Sequence, residues 1–220
     1  MRTFEGRLDI LPSPQRTLLD ELGTVSDTFV LYGGTALALR LGHRVSIDFD
    51  FFSDVPLDRR TLDQRLKLLR NAEVLDESAQ GLTVSVDRDG PVKLSFFGGI
   101  DFGRVGQPEE LGSHRIRVAS LLDLGGTKLK ALLQRVEAKD YLDVAALLRA
   151  GVGLPDILGS SRALFGPAFN PMVARKALTY FEGGDLAQLT AETRALLSEA
   201  ALADVAPTPT ALASTHLADA

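Results

Sequence analysis

The segment from residue 29 to residue 52 constrains the fold most, because it places two short apolar runs on either side of a glycine pair. The first run, FVLY, has the length and apolarity of a buried strand. Gly33-Gly34-Thr35 then turns the chain, and ALALRLG predicts a short helix that ends at Gly42. The run VSIDFDFF alternates apolar and polar residues, which indicates a second strand. The segment therefore predicts a mixed α/β structure.

Two carboxylates, Asp48 and Asp50, lie on alternate positions of the second predicted strand. Their side chains should point to the same face, about 6–7 Å apart along the chain. The two like charges repel each other, and burial removes their hydration. Both effects are unfavourable unless a cation binds to the carboxylates. A hard divalent cation such as Mg²⁺, or Mn²⁺ in its place, accepts these oxygen ligands and leaves positions for phosphate oxygens. We therefore predict a metal site; the alternative, a solvated edge strand, is less attractive beside three phenylalanines.

The glycine pair precedes a predicted helix. Free N–H groups at a helix N-terminus, with no side chain in the way, form an anion site. The alternative is a tight turn that needs glycine for its backbone alone. The phosphate-binding motifs GxGxxG and GxxxxGK[ST] do not occur in the sequence.

Other helices and strands are predicted before residue 120. A helix is expected over residues 12–22, with Ser13 as its N-cap, and another over residues 54–70, where leucines recur at helical spacing. LTVSVD and VKLSFF predict two strands joined by a turn at residues 89–91, and RIRVAS predicts a further strand.

The pattern changes at residue 121, where LLDLGGTKLKALLQR and AKDYLDVAALLRA predict two helices joined by a short connection. The sequence then remains mostly helical to about residue 204. We predict an α/β (α+β) fold with an α/β core in residues 1–120, a helical part in residues 121–205 and a loose tail in residues 206–220.

The composition narrows the class of protein. The 220 residues are 45% hydrophobic and 24% charged, which is ordinary for a globular protein. The lack of cysteine excludes disulfides, thiolate zinc sites and cysteine catalysis. No run approaches the about 18–20 apolar residues of a membrane helix, and the first residues do not resemble a secretory signal. A cytoplasmic protein without a membrane partner is expected, and the net charge of -5 does not settle whether it binds nucleic acid.

A second group of charged residues lies on the two helices of the C-terminal part. Lys128, Leu132 and Arg135 share one helix face, and Asp140 and Asp143 are three positions apart on the next helix. Packed together, these helices would present a lysine and an arginine to phosphate groups, with the aspartates orienting them. The alternative is an ordinary salt-bridged surface.

The order strand, Gly-Gly-Thr, helix and Asp-x-Asp strand resembles the core of the nucleotidyltransferase superfamily that includes DNA polymerase beta. The longer segment GGTALALRLGHRVSIDFDFF resembles the AbiEii-type toxin nucleotidyltransferases, whose members carry GGT[SA]L, a helix and then an HRxSxDxD motif. A later block is similar to the K…A…R…[KR]D…D motif of the same family: Lys128-x2-Ala131-x3-Arg135-x3-Lys139-Asp140-x2-Asp143. The resemblance covers roughly residues 25–150.

The resemblance implies a metal-dependent nucleotidyltransferase, which moves a nucleoside monophosphate from ATP, GTP, CTP or UTP to an acceptor and releases pyrophosphate. It implies a toxin, with tRNA or another RNA as acceptor and a separately encoded antitoxin as partner. The catalytic residues would be Asp48, Asp50, Lys128 and Asp143, with the first two as ligands of the metal ion. The nucleotide-binding residues would be Gly33, Gly34, Thr35, Ser46, Lys128, Arg135 and Asp140. A cleft would separate the nucleotidyltransferase core from the helical part, with Lys128 pointing into it toward Asp48.

One departure from the superfamily concerns the third carboxylate, which usually lies on a later strand. The matching strand here, VKLSFF, has none, and Asp87 and Asp101 lie only near its ends. Two other functions therefore stay open. One is a nucleotide-binding or regulatory protein that has lost catalysis. The other is an antibiotic-modifying nucleotidyltransferase, whose acceptor is a small molecule.

Overall fold

The computed structural model describes residues 2–25, 28–203 and 206–218, which form one eight-stranded mixed sheet and eight α-helices. The strands are β1 (Thr3–Phe4), β2 (Val30–Tyr32), β3 (Phe49–Phe52), β4 (Glu73–Glu77), β5 (Gly81–Asp87), β6 (Pro91–Phe97), β7 (Glu109–Leu111) and β8 (Arg117–Val118). The helices are α1 (Ser13–Leu22), α2 (Gly33–Leu41), α3 (Arg59–Arg65), α4 (Leu121–Leu132), α5 (Ala138–Arg149), α6 (Leu154–Phe165), α7 (Pro171–Ala177) and α8 (Ala191–Leu202). None of these helices is long and apolar enough to cross a membrane. The predicted mixed α/β class is confirmed.

The glycine and aspartate segment forms the middle of the sheet. The strand order is β1-β7-β8-β2-β3-β6-β5-β4, so β2 and β3 are central. β2 runs antiparallel to β3, with Tyr32 opposite Asp50, and β3 runs parallel to β6, with Asp50 opposite Ser95. Because α2 starts directly after β2, its N-terminus lies beside the aspartates of β3.

Strand β3 is shorter than the sequence predicts. It begins at Phe49, and Ile47 before it is exposed, although the alternation predicted a buried position. On the β2 side the chain lacks a partner strand there, because β2 ends at Tyr32, opposite Asp50. Asp48 therefore lies on the loop directly before the strand.

Two predicted helices also differ at their ends. Pro12 is the N-cap of α1 and Ser13 is already helical, so the prediction of Ser13 as the N-cap was wrong. The helix predicted over residues 54–70 is confined to α3, because Asp58 caps its start by accepting from the N–H of Arg60. A 3-10 turn over Lys67–Asn71 replaces the rest.

The helical part packs directly on the core. α4 contacts α5 and α6, and both α4 and α5 contact α2. The buried apolar side chains of the sheet and the helices form one continuous cluster. This packing brings Lys128 of α4 close to the start of α2 and the start of β3.

The last described segment, residues 206–218, is attached to the rest of the chain. Leu217 is fully buried, and its N–H donates to Asp54 at 2.9 Å. The N–H of Thr208 donates to the carbonyl of Pro155. The loose tail predicted for residues 206–220 is therefore wrong for residues 206–218, because these tertiary contacts fix a segment whose own composition is that of a loop. Residues 219 and 220 lie outside the described residues.

Candidate functional site

Asp50 on β3 lies against the first turn of α2. A Cβ at Gly33 would stand 2.5 Å from Oδ2 of Asp50, and Gly33 has a φ of 75°. Both the available space and the backbone conformation therefore require glycine. Glycine lets the carboxylate approach the helix start, where backbone N–H groups have no partners within the helix.

Asp48, on the preceding loop, is partly exposed. Its Oδ2 lies 3.0 Å from Nζ of Lys93 on β6. The pKa of Asp50 is raised, first because burial removes its carboxylate from water and then because Asp48 is near. The charges of Lys93 and Lys128 and a hydrogen bond from Ser95 oppose this rise without cancelling it. The two aspartates thus hold negative charge that a further cation would stabilise.

Thr35 and Ser46 hold the loop that carries Asp48. Thr35 is fully buried, and its hydroxyl lies 2.9 Å from the hydroxyl of Ser46. The same hydroxyl of Thr35 donates to the main-chain carbonyl of Asp48. These bonds use the Thr35 hydroxyl to position Asp48, and the nucleotide contact predicted for Thr35 stays a prediction.

Asp143 on α5 is the centre of an ionic cluster. Its side chain is fully buried, and its Oδ2 lies 2.6 Å from Nζ of Lys128. Arg44 binds it in a bidentate manner, with Nε 2.7 Å from Oδ1 and Nη2 3.0 Å from Oδ2, and His43 Nε2 lies 2.7 Å from Oδ1. Burial alone would raise the pKa of Asp143. The hydrogen bonds from His43 and Arg44 and the charge of Lys128 outweigh burial and hold that pKa far below its usual range.

Asp140 shares Lys128 with Asp143. Nζ of Lys128 is 3.0 Å from Oδ1 of Asp140, and Nε of Arg135 is 2.7 Å from Oδ2. Burial of Asp140 is again outweighed, by the bond from Arg135 and the charge of Lys128, so the pKa of Asp140 is lowered. Two charged motifs that lie about 90 residues apart in sequence are thus one network.

A cavity of about 790 Å³ opens between the sheet and the helices α4 and α6. Four residues of the predicted site line it: Gly33, Asp50, Lys128 and Arg135. Aromatic side chains line another part of the wall: Tyr32, Phe52, Phe97, Phe102 and Phe165. One cavity thus combines a helix start, the carboxylates of Asp50 and Asp101, three basic side chains and an aromatic surface.

The chain matches a known family over most of its length. The family model of the nucleotidyl transferase AbiEii toxin, from type IV toxin–antitoxin systems, matches residues 17–205. The chain belongs to this family. This AbiEii protein is therefore a nucleotidyltransferase of the toxin type, and its family implies an NTP substrate and an antitoxin partner.

The chain is also similar to individual proteins. The protein called "Uncharacterized protein aq_aa25" of Aquifex aeolicus (strain VF5) is 34% identical over 144 residues, which are 63% of this chain and 68% of that protein. The crystal structure of a putative nucleotidyltransferase from H. pylori has a TM-score of 0.57 at 21% identity and covers 85% of this chain and 89% of its own. The nucleotidyltransferase toxin MenT4 (Rv2826c) of Mycobacterium tuberculosis H37Rv has a TM-score of 0.52 at 16% identity, with 87% and 82% covered. These two structures share the fold of the AbiEii protein.

The donor atoms of the AbiEii site fit one divalent ion. Within residues 2–25, 28–203 and 206–218, no group of three or more Asp, Glu or His side chains is placed to hold a metal. Asp48 and Asp50 supply two carboxylates, and the hydroxyl of Ser95 bonds to Asp50. Hard oxygen donors of this kind suit Mg²⁺ or Mn²⁺, with water and phosphate oxygens as the remaining ligands.

Sequence reasoning missed several partners of the aspartates, among them Arg44 and Lys93. Arg44 lies in the HRVS part of the first motif, but only the packing of α5 on α2 shows that it binds Asp143. Lys93 lies two residues before Ser95 on β6, so it shares a face with Ser95. This spacing places Lys93 near Asp48 only because β6 lies beside β3, a pairing that the sequence alone does not indicate.

Proposed function

We propose that this AbiEii protein transfers a nucleoside monophosphate from an NTP to an RNA acceptor, such as tRNA, and releases pyrophosphate. One observation carries the proposal: the start of α2 at Gly33, the carboxylate of Asp50 and the ammonium of Lys128 meet at one cavity. Nucleotidyl transfer depends mainly on positioning the phosphates and neutralising their charge, and these three groups supply both.

The triphosphate binds at the wall formed by α2 and α4. Backbone N–H groups at the start of α2 have no partners within the helix, and Gly33 lines the cavity there. Lys128 has three N–H donors, and Asp140 and Asp143 engage two of them, so one remains for a phosphate oxygen. Arg135 is partly exposed on the same cavity and adds a second positive charge.

Asp48 and Asp50 would hold one Mg²⁺, or one Mn²⁺. Bound there, the ion would neutralise the triphosphate and polarise its α-phosphate. The chain itself holds the two carboxylates in place. β3 fixes the backbone of Asp50, Ser95 bonds to its carboxylate, and Thr35 fixes the loop of Asp48.

Asp143 positions Lys128 and is a weak base. Lys128 and Arg44 bind its two oxygens, and its pKa is far below the usual range. A carboxylate so strongly stabilised in its charged form does not take a proton from an acceptor near neutral pH. Orienting Lys128 therefore suits the geometry of Asp143 better than taking a proton from the acceptor.

The nucleobase would stack on the aromatic part of the cavity wall. Phe97, Phe102 and Phe165 line it, and base–aromatic stacking contributes about 1–3 kcal/mol per base. Stacking tolerates any base, because each has a π-face. This wall supports an NTP substrate without selecting one of the four.

The acceptor, the antitoxin and the place of action follow from the toxin family. We infer that tRNA or another RNA receives the nucleotide and that a separately encoded antitoxin restrains the toxin. The protein would act in the cytoplasm, where nucleoside triphosphates and tRNA occur together. The family match and the likeness to the toxin MenT4 support this assignment.

One observation favours a second function, an NTP-binding protein without catalysis. Opposite Asp50 on β6 lies Ser95 in place of a third carboxylate. A third function would be transfer of the nucleotide to an antibiotic. The labelling experiment below distinguishes it from transfer to RNA.

Transfer of label from each α-³²P-NTP, with Mg²⁺, to tRNA, total RNA, protein and aminoglycosides tests the proposal. We expect wild-type protein to label RNA and the double variant Asp48→Asn/Asp50→Asn to label nothing. Asp9→Asn is the matched control, because Asp9 is an exposed aspartate paired only with nearby Arg7 in the contacts of the described residues. Equal labelling by a folded double variant would refute the enzymatic proposal. Label on an aminoglycoside alone would change the acceptor, and NTP binding without any transfer would favour the binding protein.

A further inference from the structure

The strand beside the aspartates carries an unexpected pair of side chains. β6 runs parallel to β3 with Asp50 opposite Ser95, so Lys93 and Ser95 share the face that carries the carboxylate. Ser95 is buried and Lys93 is partly exposed. The face next to the predicted metal ligands thus presents a hydroxyl and an ammonium.

The hydroxyl of Ser95 is held from both sides. It bonds to the carboxylate of Asp50, and the hydroxyl of Thr83 on β5 donates to it at 3.3 Å. A neutral group therefore occupies the position where a carboxylate would supply another negative charge and a third ligand. One metal ligand fewer favours fewer bound ions, because each divalent ion needs several oxygen ligands.

The ammonium of Lys93 already lies at the aspartates. Its Nζ is 3.0 Å from Oδ2 of Asp48, a distance typical of a charge-assisted hydrogen bond. The charged side chains of β3, β6 and the loop before β3 at this place are two carboxylates and one ammonium, which together leave one negative charge. That charge suits one divalent ion together with the triphosphate better than two.

We propose that this centre works with one divalent ion and that the ammonium of Lys93 takes the place of a second divalent ion. The inference rests on the proposed nucleotidyl transfer and adds a residue to it. Lys93 neutralises Asp48 and the bound nucleotide from a fixed position, and Ser95 keeps the third ligand position neutral. Exchanging both residues should therefore convert the centre to a two-ion site.

Counting bound Mn²⁺ by electron paramagnetic resonance tests this assignment. The full chain is titrated with Mn²⁺ in the presence of the α,β-methylene analogue of each NTP. We expect one Mn²⁺ per protein–nucleotide complex for the wild type and two for Lys93→Met/Ser95→Asp. The matched control Lys93→Met/Ser95→Asn should bind one, since asparagine has the shape of aspartate without its charge.

Two Mn²⁺ ions in the wild-type complex would overturn the assignment, and so would a single ion in a folded Lys93→Met/Ser95→Asp variant. Lys93→Met alone gives a second measurement, because its partly exposed side chain can be replaced without opening the core. We expect this variant to bind the Mn²⁺–nucleotide analogue about tenfold more weakly than the wild type. Unchanged affinity would contradict a role for the ammonium.

The same titration separates the two levels of the proposal. If a nucleotide analogue binds with two Mn²⁺ ions, nucleotidyl transfer stands and the role of Lys93 fails. If none of the four analogues binds at any Mn²⁺ concentration, the proposed function fails, and the assignment of Lys93 fails with it.

Discussion

Two pairs of aspartates in this protein have opposite electrostatic surroundings. The helix pair, Asp140 and Asp143, is fully buried, and each carboxylate binds at least two basic side chains. The pKa of both is lowered despite burial. In the strand pair, Asp48 and Asp50, the first binds Lys93 and the pKa of the second is raised.

The comparison shows how one residue type serves two purposes. The basic side chains around the helix pair are Lys128 on α4, Arg135 just after α4, and Arg44 on the loop after α2. The helix pair therefore joins the helical part to the core and holds Lys128 in place. Around the strand pair, Lys93 and Lys128 do not fully offset the burial of Asp50, so its carboxylate keeps a raised pKa beside the cavity. A metal ion bound together with a triphosphate would stabilise that charge. We therefore expect substitutions in the strand pair to affect chemistry and substitutions in the helix pair to affect folding first.

The largest effect should follow from removing both charges of the strand pair. Asp48→Asn/Asp50→Asn should lower labelled-NTP transfer by at least about 10³-fold, because metal-held charge contributes several kcal/mol to such reactions. The melting temperature should not fall, since neither carboxylate is stabilised by its surroundings as the helix pair is. Calorimetry of the same samples checks this. If the variant melted far below the wild type, the strand pair would also stabilise the fold, and the proposed difference between the two pairs would be wrong.

Replacement of Lys128 should affect both chemistry and folding. Lys128→Ala should lower transfer by about 10²–10³-fold and relieve growth arrest in cells that express the toxin alone, because a cation is lost beside the triphosphate. Its buried ion pairs also predict a loss of about 1–3 kcal/mol in unfolding free energy. Stability is affected because only 5% of this residue is exposed.

Lys139→Ala is the matched control for Lys128→Ala. Lys139 is a half-exposed lysine of the same motif that pairs with Glu137. Its replacement should change transfer, growth arrest and stability little. Growth arrest that persists undiminished with Lys128→Ala at equal expression would mean that the toxicity does not come from nucleotidyl transfer.

Much of the segment that carries the strand pair was predictable from the sequence. The run FVLY, the glycine pair and the αL glycine at the end of α2 are local signals, and β2 and the end of α2 formed where they were expected. The helix α2 begins at Gly33, inside the predicted turn. Local sequence patterns also predicted the hairpin of β5 and β6 and the helices α4 and α5. The placement of Lys128 near Asp50 came from the family resemblance, since no spacing rule joins residues so far apart.

The short or exposed strands and the long-range contacts of the site depend on tertiary pairing, which the sequence does not show. β1 and β7 have two and three residues, too few for a periodic pattern, and β4 is exposed along its whole length. These segments are strands only because a neighbouring strand binds them. In the same way, Lys93 reaches Asp48 only because β6 lies next to β3, and Arg44 reaches Asp143 across 99 positions of sequence.

A smaller effect is expected on folding when one charge of the helix pair is removed. Asp143→Asn should lower the unfolding free energy by about 3 kcal/mol, because Arg44 and Lys128 lose their shared buried partner. The lowered pKa of Asp143 means that its carboxylate stabilises the fold above the unfolded pKa of about 4. The difference in melting temperature from the wild type should therefore be full near pH 7 and shrink only as the pH falls below about 4. A pH-independent difference would contradict the ionic role.

The smallest effect should have the opposite sign. The raised pKa of Asp50 means that the folded protein binds its proton more tightly than the unfolded chain does, so the charged carboxylate destabilises the fold above the unfolded pKa. Without divalent ions, Asp50→Asn should raise the melting temperature at pH 7, by about 2–4 °C for each kcal/mol gained. The gain should disappear as the pH falls toward 4. A lower melting temperature would show that the charge of Asp50 stabilises the fold.

Isothermal titration of the four NTPs, with Mg²⁺ and with EDTA, measures the contrast between the two pairs most directly. We predict that wild-type protein binds at least one NTP and that EDTA weakens this binding by tenfold or more. Asp50→Asn should show the same weak binding whether or not Mg²⁺ is present. Equal affinity of the wild type in Mg²⁺ and in EDTA, or full Mg²⁺-dependent binding by Asp50→Asn, would contradict the assignment of the strand pair as the metal and triphosphate site.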